Sequence, residues 1–349
     1  MGVRICNPCS QKREDEEIIF SNRHKQHDKT FTFNDSSKLY SSNIKNDIKY
    51  NNNNNFSELE LSKAKIELES SIIQKGGIFQ TTSITKILEK INPAANKIDI
   101  PETILNNYST PSIQESMIKF PDGEIYEGAW NLKNQRNGYG ISVDKEGNVF
   151  KGIWENDNFG NYGAFIDKSG NYYIGELENG KAKGNGEMFI NKKMKYKGEF
   201  KDDLPYGKGI LENYRDNYIY NGNIINGIKN GYGELKFEEG TIYKGEFKDD
   251  KFDGKGKIIF SNGREYEGEF KNNKMDGNGV FIWEDGKKYI GKYICNIKQG
   301  YGKLSWNENK YYEGEWYNNK PHGTGKYFLN GKLLKGKFRF GKIISKKDE

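Results

Sequence analysis

Cysteine is scarce in this chain of 349 residues. There are three, Cys6, Cys9 and Cys295, which is too few for the disulfide framework that stabilises small secreted domains. The sequence also lacks an apolar run of roughly 18 residues, the length of a membrane-spanning helix, and lacks a secretory signal. These absences exclude a disulfide-rich secreted protein and a helical membrane protein, and they predict an intracellular location.

Apolar residues are few as well. Only 34% of the residues are hydrophobic and the mean hydropathy is −0.94, so any core must be thin and aromatic. The net charge of +6 arises from 55 basic and 49 acidic residues that are interleaved along the chain. No basic run typical of a nucleic-acid-binding arm is present, and a nucleic-acid partner is not expected.

Glycine is almost absent from the first third of the chain. The first 110 residues hold only Gly2, Gly76 and Gly77, whereas the remainder holds 38 of the 41 glycines, all five tryptophans and 20 of the 23 tyrosines. This contrast predicts four segments, which are a disordered N-terminus with a possible acylation signal over 1–56, short amphipathic helices and a linker over 57–110, a repeat array over 111–344 and a basic tail over 345–349.

The glycine-rich part repeats itself. The pattern Tyr-x-Gly-x-aromatic, six residues, Gly-x-Gly returns every 22 to 24 residues, mostly every 23. Such a period is typical of an array of supersecondary units. The first glycines of the ten copies are Gly128, Gly152, Gly175, Gly198, Gly222, Gly245, Gly268, Gly291, Gly314 and Gly336.

The alternation within one copy predicts a strand with two different faces. Residues two apart in a strand share a face, so Tyr266, Gly268 and Phe270 lie on one face, and Glu267 and Glu269 lie on the other. Glycine is otherwise unfavourable in strands, but here it lets a neighbouring ring lie flat on the backbone. We therefore expect a shallow core of rings stacked on glycines.

The same pattern predicts how the two halves of a unit pair. If Phe270 lies opposite Gly277 across a six-residue loop over 271–276, then Gly268 lies opposite Gly279. Each unit is accordingly a β-hairpin.

Turn signals such as Asp285-Gly286 separate successive units. A two-residue turn would place the next aromatic set on the wrong face. We therefore predict three-residue loops, each a type I turn with glycine in the left-handed position, as at Glu284-Asp285-Gly286. The expected fold class is all-β, an elongated antiparallel meander of about ten hairpin repeats.

Two copies depart from the pattern. In the second copy, Gly160 and Gly163 stand in place of the regular Gly-x-Gly pair. The tenth copy is expected to stop after its first strand, at about Phe338. Irregular end units are usual where an array needs capping.

At these residues the chain resembles the MORN (membrane occupation and recognition nexus) repeat family over about residues 118–344, because the family pattern is close to Tyr-x-Gly-x-Trp, a short loop and Gly-x-Gly. The resemblance implies an aromatic groove that binds proteins and, by repeated proposal, acidic phospholipids. The residues implied as the partner-binding groove are Tyr126, Trp130, Tyr196, Phe200, Tyr243, Phe247, Tyr266, Phe270, Tyr289, Tyr312 and Trp316.

Two amphipathic helices are expected before the array. One covers residues 57–74, with its apolar positions separated by three or four residues, and the second covers residues 83–91, ahead of Asn92-Pro93. They either pack on the first strands of the array or bind a partner helix or a membrane.

The first nine residues resemble a signal for N-myristoylation at Gly2, although Cys6 stands where that signal has Ser or Thr. Cys6 and Cys9 are natural S-palmitoylation sites beside an acylated glycine. Because one myristoyl chain binds a membrane weakly and a second acyl chain makes binding stable, Gly2, Cys6 and Cys9 act as a unit. The alternative is an unmodified terminus.

Cys6, Cys9, His24 and His27 also resemble a set of zinc ligands, but the histidine spacing is shorter than that of zinc fingers, so a zinc site is not expected. No metal and no cofactor are expected. His322 is expected in a surface hairpin loop.

No catalytic residue is expected. The glutamates at Glu199, Glu246, Glu269 and Glu315 recur with the repeat and therefore belong to its architecture. Nucleotide-binding and kinase motifs are absent from the sequence.

The leading functional hypothesis is a non-enzymatic scaffold, held at the cytoplasmic face of a membrane by acyl chains, whose aromatic groove binds an unidentified protein. The family resemblance also allows a structural component of a ciliary or cytoskeletal assembly. A third possibility is an acidic phospholipid-binding module that uses lysine-rich loops, although these lysines alternate with aspartates and a solvated surface is the simpler interpretation. The loop lysines are Lys201, Lys248, Lys251, Lys271 and Lys274.

Overall fold

The computed structural model describes residues 84–108 and 113–347. It divides into two compact units, whose described residues are 84–108 with 113–216, and 217–347. The predicted acylation sites Gly2, Cys6 and Cys9 and the predicted helix over 57–74 lie outside the described residues, as do His24 and His27.

The N-terminal unit begins with short helices and continues in strands. Its helices are α1 (Ile84–Ile91), a 3₁₀ turn (Ala95–Lys97), α2 (Glu102–Leu105) and a second 3₁₀ turn (Asn106–Tyr108). Its strands are β1 (Ile113–Lys119), β2 (Ile125–Trp130), β3 (Arg136–Val143), β4 (Val149–Glu155), β5 (Asn158–Ile166), β6 (Tyr172–Glu178), β7 (Lys181–Ile190), β8 (Met194–Lys201) and β9 (Leu204–Asn213).

The C-terminal unit consists of strands in its described residues. They are β10 (Tyr218–Ile225), β11 (Ile228–Phe237), β12 (Ile242–Lys248), β13 (Lys251–Ile259), β14 (Glu265–Lys271), β15 (Lys274–Ile282), β16 (Lys288–Ile294), β17 (Ile297–Asn307), β18 (Lys310–Tyr317), β19 (Lys320–Leu329), β20 (Lys332–Arg339) and β21 (Lys342–Lys347).

Within each unit, every strand pairs antiparallel with its neighbours in the chain. Strands β2 to β21 therefore form ten hairpins, and β1 precedes them as one additional strand. The predicted all-β antiparallel meander of about ten hairpin repeats is confirmed.

The predicted pairing inside a unit is right at the glycines and wrong at the loop. Gly268 pairs with Gly279, but Phe270 pairs with Met275 and a bulge interrupts the register between them. The loop is the two-residue turn Asn272-Asn273, with φ of 49° and 65°. Both angles are left-handed, which defines the type I′ turn that suits twisted hairpins.

The bulge explains why the six-residue loop was predicted. Two residues more lie between Met275 and Gly279 than between Gly268 and Phe270, and Gly277 takes φ 109° among them. If the strands are paired outward from Gly268 and Gly279 without a bulge, residues 271–276 are left as the loop. Glycine or asparagine is needed where φ is positive, so the bulge uses the first glycine of each Gly-x-Gly.

The predicted three-residue loops between units are confirmed. At 284–286, the Gly286 N–H donates to the Trp283 carbonyl at 2.9 Å, the Trp283 N–H donates to the Lys287 carbonyl at 2.8 Å, and Gly286 has φ 81°. Exceptions include two junctions with two-residue turns, because Asn307 pairs with Lys310 across Glu308-Asn309 and Leu329 pairs with Lys332 across Asn330-Gly331.

Helix α1 packs on the first strands. Ile84 and Leu88 share a buried cluster with Val143, Val149 and Ile166. These strand residues lie between the ring positions in sequence and therefore on the opposite face of the sheet. This result confirms the helix predicted over 83–91 and its packing on the first strands of the array.

The two irregular copies both form hairpins. In the second copy, Gly152 pairs with Gly163 as in the regular units. The tenth copy does not stop after its first strand, because β21 pairs with β20 and extends to Lys347. The predicted basic tail over 345–349 therefore begins inside a strand.

Candidate functional site

The repeating structural motif is a tyrosine ring that lies over two paired glycines. A Cβ atom placed on Gly279 would lie 2.4 Å from Cε2 of Tyr266, and one placed on Gly268 would lie 2.6 Å from the Tyr266 hydroxyl oxygen. That hydroxyl donates to the Glu269 carbonyl at 3.0 Å. The glycines therefore provide space for the ring, and the backbone satisfies its polar end.

Rings of successive units contact one another edge to face. Phe270 lies 5.1 Å from Tyr266 of its own unit, with an interplanar angle of 89°, and 5.3 Å from Tyr243 of the preceding unit, at 87°. This geometry is favourable for aromatic pairs. Each ring at the Phe270 position therefore joins two repeats.

These contacts bury all the rings predicted to line a partner-binding groove. Their exposed fractions lie between 0% and 7%. They form the core because each ring face is covered by glycine backbone or by another side chain. The expectation that these rings line an open groove is therefore corrected, since the structure buries them. The buried residues are Tyr126, Trp130, Tyr196, Phe200, Tyr243, Phe247, Tyr266, Phe270, Tyr289, Tyr312 and Trp316.

Burial also changes the acidity of these tyrosines. It raises the pKa of Tyr312 to about 12, and it raises the pKa of Tyr266 above the ordinary range. Buried hydroxyls that stay neutral suit a structural role at neutral pH.

A position that the sequence analysis did not identify covers the rings. It is the second residue after each type I′ turn, and at Phe252 its ring stacks on Tyr243 with centroids 3.7 Å apart. Met275 occupies the same position one unit later and is 1% exposed. The signal was present in the sequence as an apolar or cationic residue at this offset in each unit.

Cations occupy this position in three units. One of them, Arg136, follows a longer loop but pairs with Trp130 as Met275 pairs with Phe270. The Lys298 ammonium lies 5.0 Å from Trp283, 5.6 Å from Tyr289 and 5.9 Å from Trp316. The Arg136 guanidinium lies 3.9 Å from the Trp154 ring. Cation–π attraction therefore allows a charged residue to cover the rings.

Lys229 is the third of these cations, and it is nearly buried. Its ammonium forms an ion pair with Asp250 at 2.8 Å and lies 3.4 Å from the Tyr218 hydroxyl oxygen. Burial alone lowers the pKa of Lys229, but Tyr218 and Asp250 outweigh burial and raise it. This lysine therefore carries a compensated charge.

The recurring glutamates bind the bulge. Glu269 Oε1 accepts the Asn278 N–H at 3.0 Å, and a Cβ on Gly277 would lie 2.6 Å from Glu269 Oε2. The equivalent carboxylates accept backbone N–H groups at 3.1, 2.9 and 2.8 Å. The predicted architectural role is confirmed for Glu199, Glu246, Glu269 and Glu315.

The type I′ turns form a ladder that the sequence analysis also missed. The Asn273 N–H donates to the Phe252 carbonyl at 2.9 Å, and Asn273 Oδ1 accepts the Phe252 N–H at 2.7 Å. The signal is the Asn or Asp that stands second in the turn of the units that make these bonds. The same two bonds to the residue 21 positions earlier are made by Asp203, Asp250, Asn296 and Asn319.

Comparison with known families agrees with this geometry. The MORN repeat profile matches eight segments, which are residues 126–149, 173–191, 196–212, 220–242, 243–263, 266–288, 289–309 and 312–332. This protein is a MORN repeat protein. The unmatched stretch between the first two segments contains the irregular second copy, and the tenth copy also lies outside the matches.

No curated protein matches the chain. Among solved structures, the TCP10 domain of Danio rerio CPAP in complex with a peptide of Danio rerio STIL is 12% identical, covers 67% of this chain and 98% of its own, and has a TM-score of 0.38. The SAS-4 (dCPAP) TCP domain of Drosophila melanogaster, in complex with a proline-rich motif of Ana2, is 14% identical over 59% and 95%, with a TM-score of 0.27. At these values, neither likeness bears on function.

Since the MORN rings are buried, the surface open to partners consists of other residues. On the face opposite the rings, Tyr232 is 64% exposed and Tyr301 is 59% exposed, with Ile290 also exposed. Tyr232 and Tyr301 lie opposite Glu246 and Glu315 in the strand register.

The lysine-rich segments predicted as loops are the ends of the MORN hairpins. Lys248 pairs with Lys251, and Lys271 pairs with Lys274, next to the type I′ turns. These four lysines and Lys201 are exposed.

The sequence analysis places His322 in a hairpin loop, but in the structure it lies in strand β19. Its ring packs against Tyr317 and Phe340, with centroids 5.4 and 5.1 Å away. The type I′ turn is shorter than the predicted loop, and this difference places His322 in the strand.

Within residues 84–108 and 113–347, no group of three or more His, Cys, Asp or Glu is arranged to hold a metal ion. No helix in the described part of the chain combines the length and apolarity that crossing a membrane requires.

Proposed function

We propose that this MORN protein is a non-enzymatic scaffold that binds a protein partner. The main support is the use of its recurring polar groups, because the tyrosine hydroxyls and glutamate carboxylates bind the backbone of their own repeats. Groups committed to the same backbone bonds in successive units serve the architecture. A sheet with exposed side chains is suited to presenting a contact surface.

The partner surface that the geometry favours is the face opposite the rings. Tyr232, Ile290 and Tyr301 are exposed there, whereas contact through the buried rings would require the core to open. Aromatic side chains are enriched at protein interfaces because they bury a large area at a small cost in side-chain entropy. This assignment replaces the aromatic groove as the expected contact site.

The experiment compares partner capture by two folded variants. The full chain with Tyr232, Ile290 and Tyr301 changed to serine should lose proteins that the wild type captures from an extract of its own cells. The control is Leu132→Ser, which changes one of the most exposed apolar side chains in the N-terminal unit. Equal capture by the wild type and by the triple variant, both verified as folded, would refute this surface.

Membrane attachment is a second part of the proposal, supported by Gly2, Cys6 and Cys9. Two acyl chains hold a protein at a membrane far more stably than one. We therefore expect Gly2→Ala to move the protein from the membrane to the soluble fraction, and Cys6→Ser with Cys9→Ser to weaken its retention. An intact mass of the native protein without added acyl groups would remove this part of the proposal and leave the scaffold role.

The cytoskeletal or ciliary role and the phospholipid-binding role stay predictions from the family resemblance. A cytoskeletal or ciliary component should remain with the detergent-extracted cytoskeleton. An acidic phospholipid-binding array should float with vesicles in proportion to their anionic lipid content, and this dependence should weaken when Lys248, Lys251, Lys271 and Lys274 are changed to glutamine.

A further inference from the structure

In the part of the chain that the structure describes, the last hairpin of the C-terminal unit has an open edge. Among the described strands, β21 pairs only with β20. In an antiparallel pair, alternate backbone N–H and C=O groups point away from the partner. The outer edge of β21 can therefore accept a further strand, and natural proteins usually protect such edges.

This hairpin also lacks the ring closure of the other units. Leu334 stands two residues before Gly336, where the regular units have tyrosine. Across this hairpin Gly336 pairs with Lys346, where the regular units have a second glycine. Apolar side chains are left uncovered as a result. Ile344 is 61% exposed and Phe340 is 51% exposed.

The charge of the hairpin differs from that of the rest of the chain. Residues 332–347 contain six lysines and one arginine and no aspartate or glutamate. The whole chain, in contrast, has 55 basic and 49 acidic residues. An occupant of this edge should therefore be acidic, apolar in part, and able to form a strand.

One segment of this chain has that chemistry. Residues 14–17 read Glu-Asp-Glu-Glu and residues 18–20 read Ile-Ile-Phe. Isoleucine and phenylalanine favour strands, and the seven residues are about as long as the six-residue β21. The acidic half complements the lysines, and the apolar half complements Phe340 and Ile344.

We propose that residues 14–20 of the same chain add to the open edge of β21 as a further strand. The 63 residues between Phe20 and Ile84 can extend to about 200 Å, so chain length does not prevent this pairing. Tethering also raises the effective concentration of the segment at the edge. The added strand covers Ile344 and Phe340 and satisfies the outward backbone groups of β21.

Two other occupants are less suited to the same edge. A second copy of β21 would bring its lysines against those of the first, and like charges on paired strands are destabilising. An anionic membrane would attract the lysines but would leave the outward backbone groups of β21 without strand partners.

The test measures amide hydrogen exchange, residue by residue, in the full chain. In the wild type, the alternate amides of β21 that face away from β20 should exchange slowly. Changing Glu14, Asp15, Glu16 and Glu17 to lysine should speed their exchange by roughly tenfold or more, because the edge then opens. Exchange in β14 and β15 should be unchanged, which shows that the repeats remain folded.

The matched control changes Glu58, Glu60, Glu67 and Glu69 to lysine. It alters the net charge by the same amount, and it should leave the exchange of β21 as in the wild type. A compensating variant then changes Lys342, Lys346 and Lys347 to glutamate in the chain that carries lysines at 14–17. The pairing predicts that slow exchange returns in this charge-swapped chain.

Three results would overturn the proposal. Fast exchange of the outward β21 amides in the wild type would show that nothing covers the edge. Protection that disappears on dilution would show pairing between copies of the chain. Protection that needs anionic vesicles, compared with neutral vesicles, would show that a membrane covers the hairpin. The outcome is independent of whether the partner surface at Tyr232 and Tyr301 is correct.

Discussion

At the scale of single residues, the fold depends on side chains that are absent. The tyrosine ring occupies the volume in which the Cβ atoms of two paired glycines would lie, as at Gly268 and Gly279 under Tyr266. Glycine ordinarily weakens a strand, but here it permits the burial of a large ring whose hydroxyl bonds the backbone. The stability of each unit therefore depends on two glycines that have no side chain to exclude the ring.

Substituting one of these glycines tests that dependence. We expect Gly279→Ala to lower the free energy of unfolding by about 2–3 kcal/mol, because the new methyl group would overlap the Tyr266 ring and force the ring to move. The measurement is urea-induced unfolding. Gly263→Asn is the control, since no atom lies within 4 Å of a Cβ there and asparagine tolerates positive φ. Equal losses in the two variants would contradict the ring-on-glycine explanation.

The buried carboxyl group of Asp203 should make the stability of the fold depend on pH. Burial raises the pKa of Asp203 above its ordinary value of 3.8, although the bond from the Ala182 N–H lowers it in part. A raised folded-state pKa means that the protonated carboxyl stabilises the fold at low pH, and that this stabilisation is lost as the pH rises through the folded-state pKa.

Asp203→Asn removes this titration and keeps the acceptor oxygen that other turns provide with asparagine. The variant should be more stable than the wild type at pH 7, where the buried carboxylate of the wild type is charged. The gain should shrink below pH 3.8, the ordinary Asp value, where the carboxyl is protonated in both states. Thermal unfolding at a series of pH values measures the difference, and a gain that grows toward low pH would contradict the assignment.

At the scale of hairpins, the type I′ turn does two things. Its asparagines adopt the left-handed backbone, and its second residue binds the corresponding strand of the preceding unit through Asn273 Oδ1 and the Phe252 N–H. The ladder of such bonds aligns one hairpin on the next, which fits the nearly constant period of the sequence.

Two substitutions at Asn273 separate these roles. Asn273→Gly keeps the left-handed backbone and removes the bond to the Phe252 N–H, at a cost of about 1–2 kcal/mol. Asn273→Ala removes the bond and adds about 1 kcal/mol of backbone strain. The expected order of stability is wild type, glycine, alanine, measured by chemical unfolding. An alanine variant as stable as the glycine variant would show that the left-handed backbone contributes nothing.

The hairpin scale also shows what sequence reasoning could and could not predict. Alternation around Gly268 predicted the strands, the glycine pairs and the three-residue loops, because each follows from parity and from single residues with positive φ. The bulge at Gly277 was missed, since it shifts the pairing by two residues without changing the composition of the repeat. The burial of the rings was missed because it depends on Phe252, Met275 and Lys298, whose types differ from unit to unit.

At the scale of the whole molecule, stability should spread from unit to unit. Rings at the Phe270 position join neighbouring repeats, as in the contacts of Phe270 with Tyr243 and of Tyr293 with Tyr266. Arrays of this kind behave as chains of nearest-neighbour interactions, and their end units are the weakest. In the tenth unit, Phe338 occupies the Phe270 position, and its ring centroid lies 4.9 Å from that of Tyr312 in the preceding unit. The tenth unit has no tyrosine at the Tyr266 position.

Completing the tenth unit tests this account. Leu334→Tyr together with Lys346→Gly would place a ring over Gly336 and its partner, as in the regular units. We expect the double variant to slow amide exchange in β20 and β21 by about tenfold, with little effect in β12, because the added contact reaches only the neighbouring unit. Each single change is the control and should give no such gain, since a ring without the second glycine has no space and a glycine without the ring leaves a void. Equal protection in the double variant and in either single variant would mean that the ring and the glycine pair do not act together.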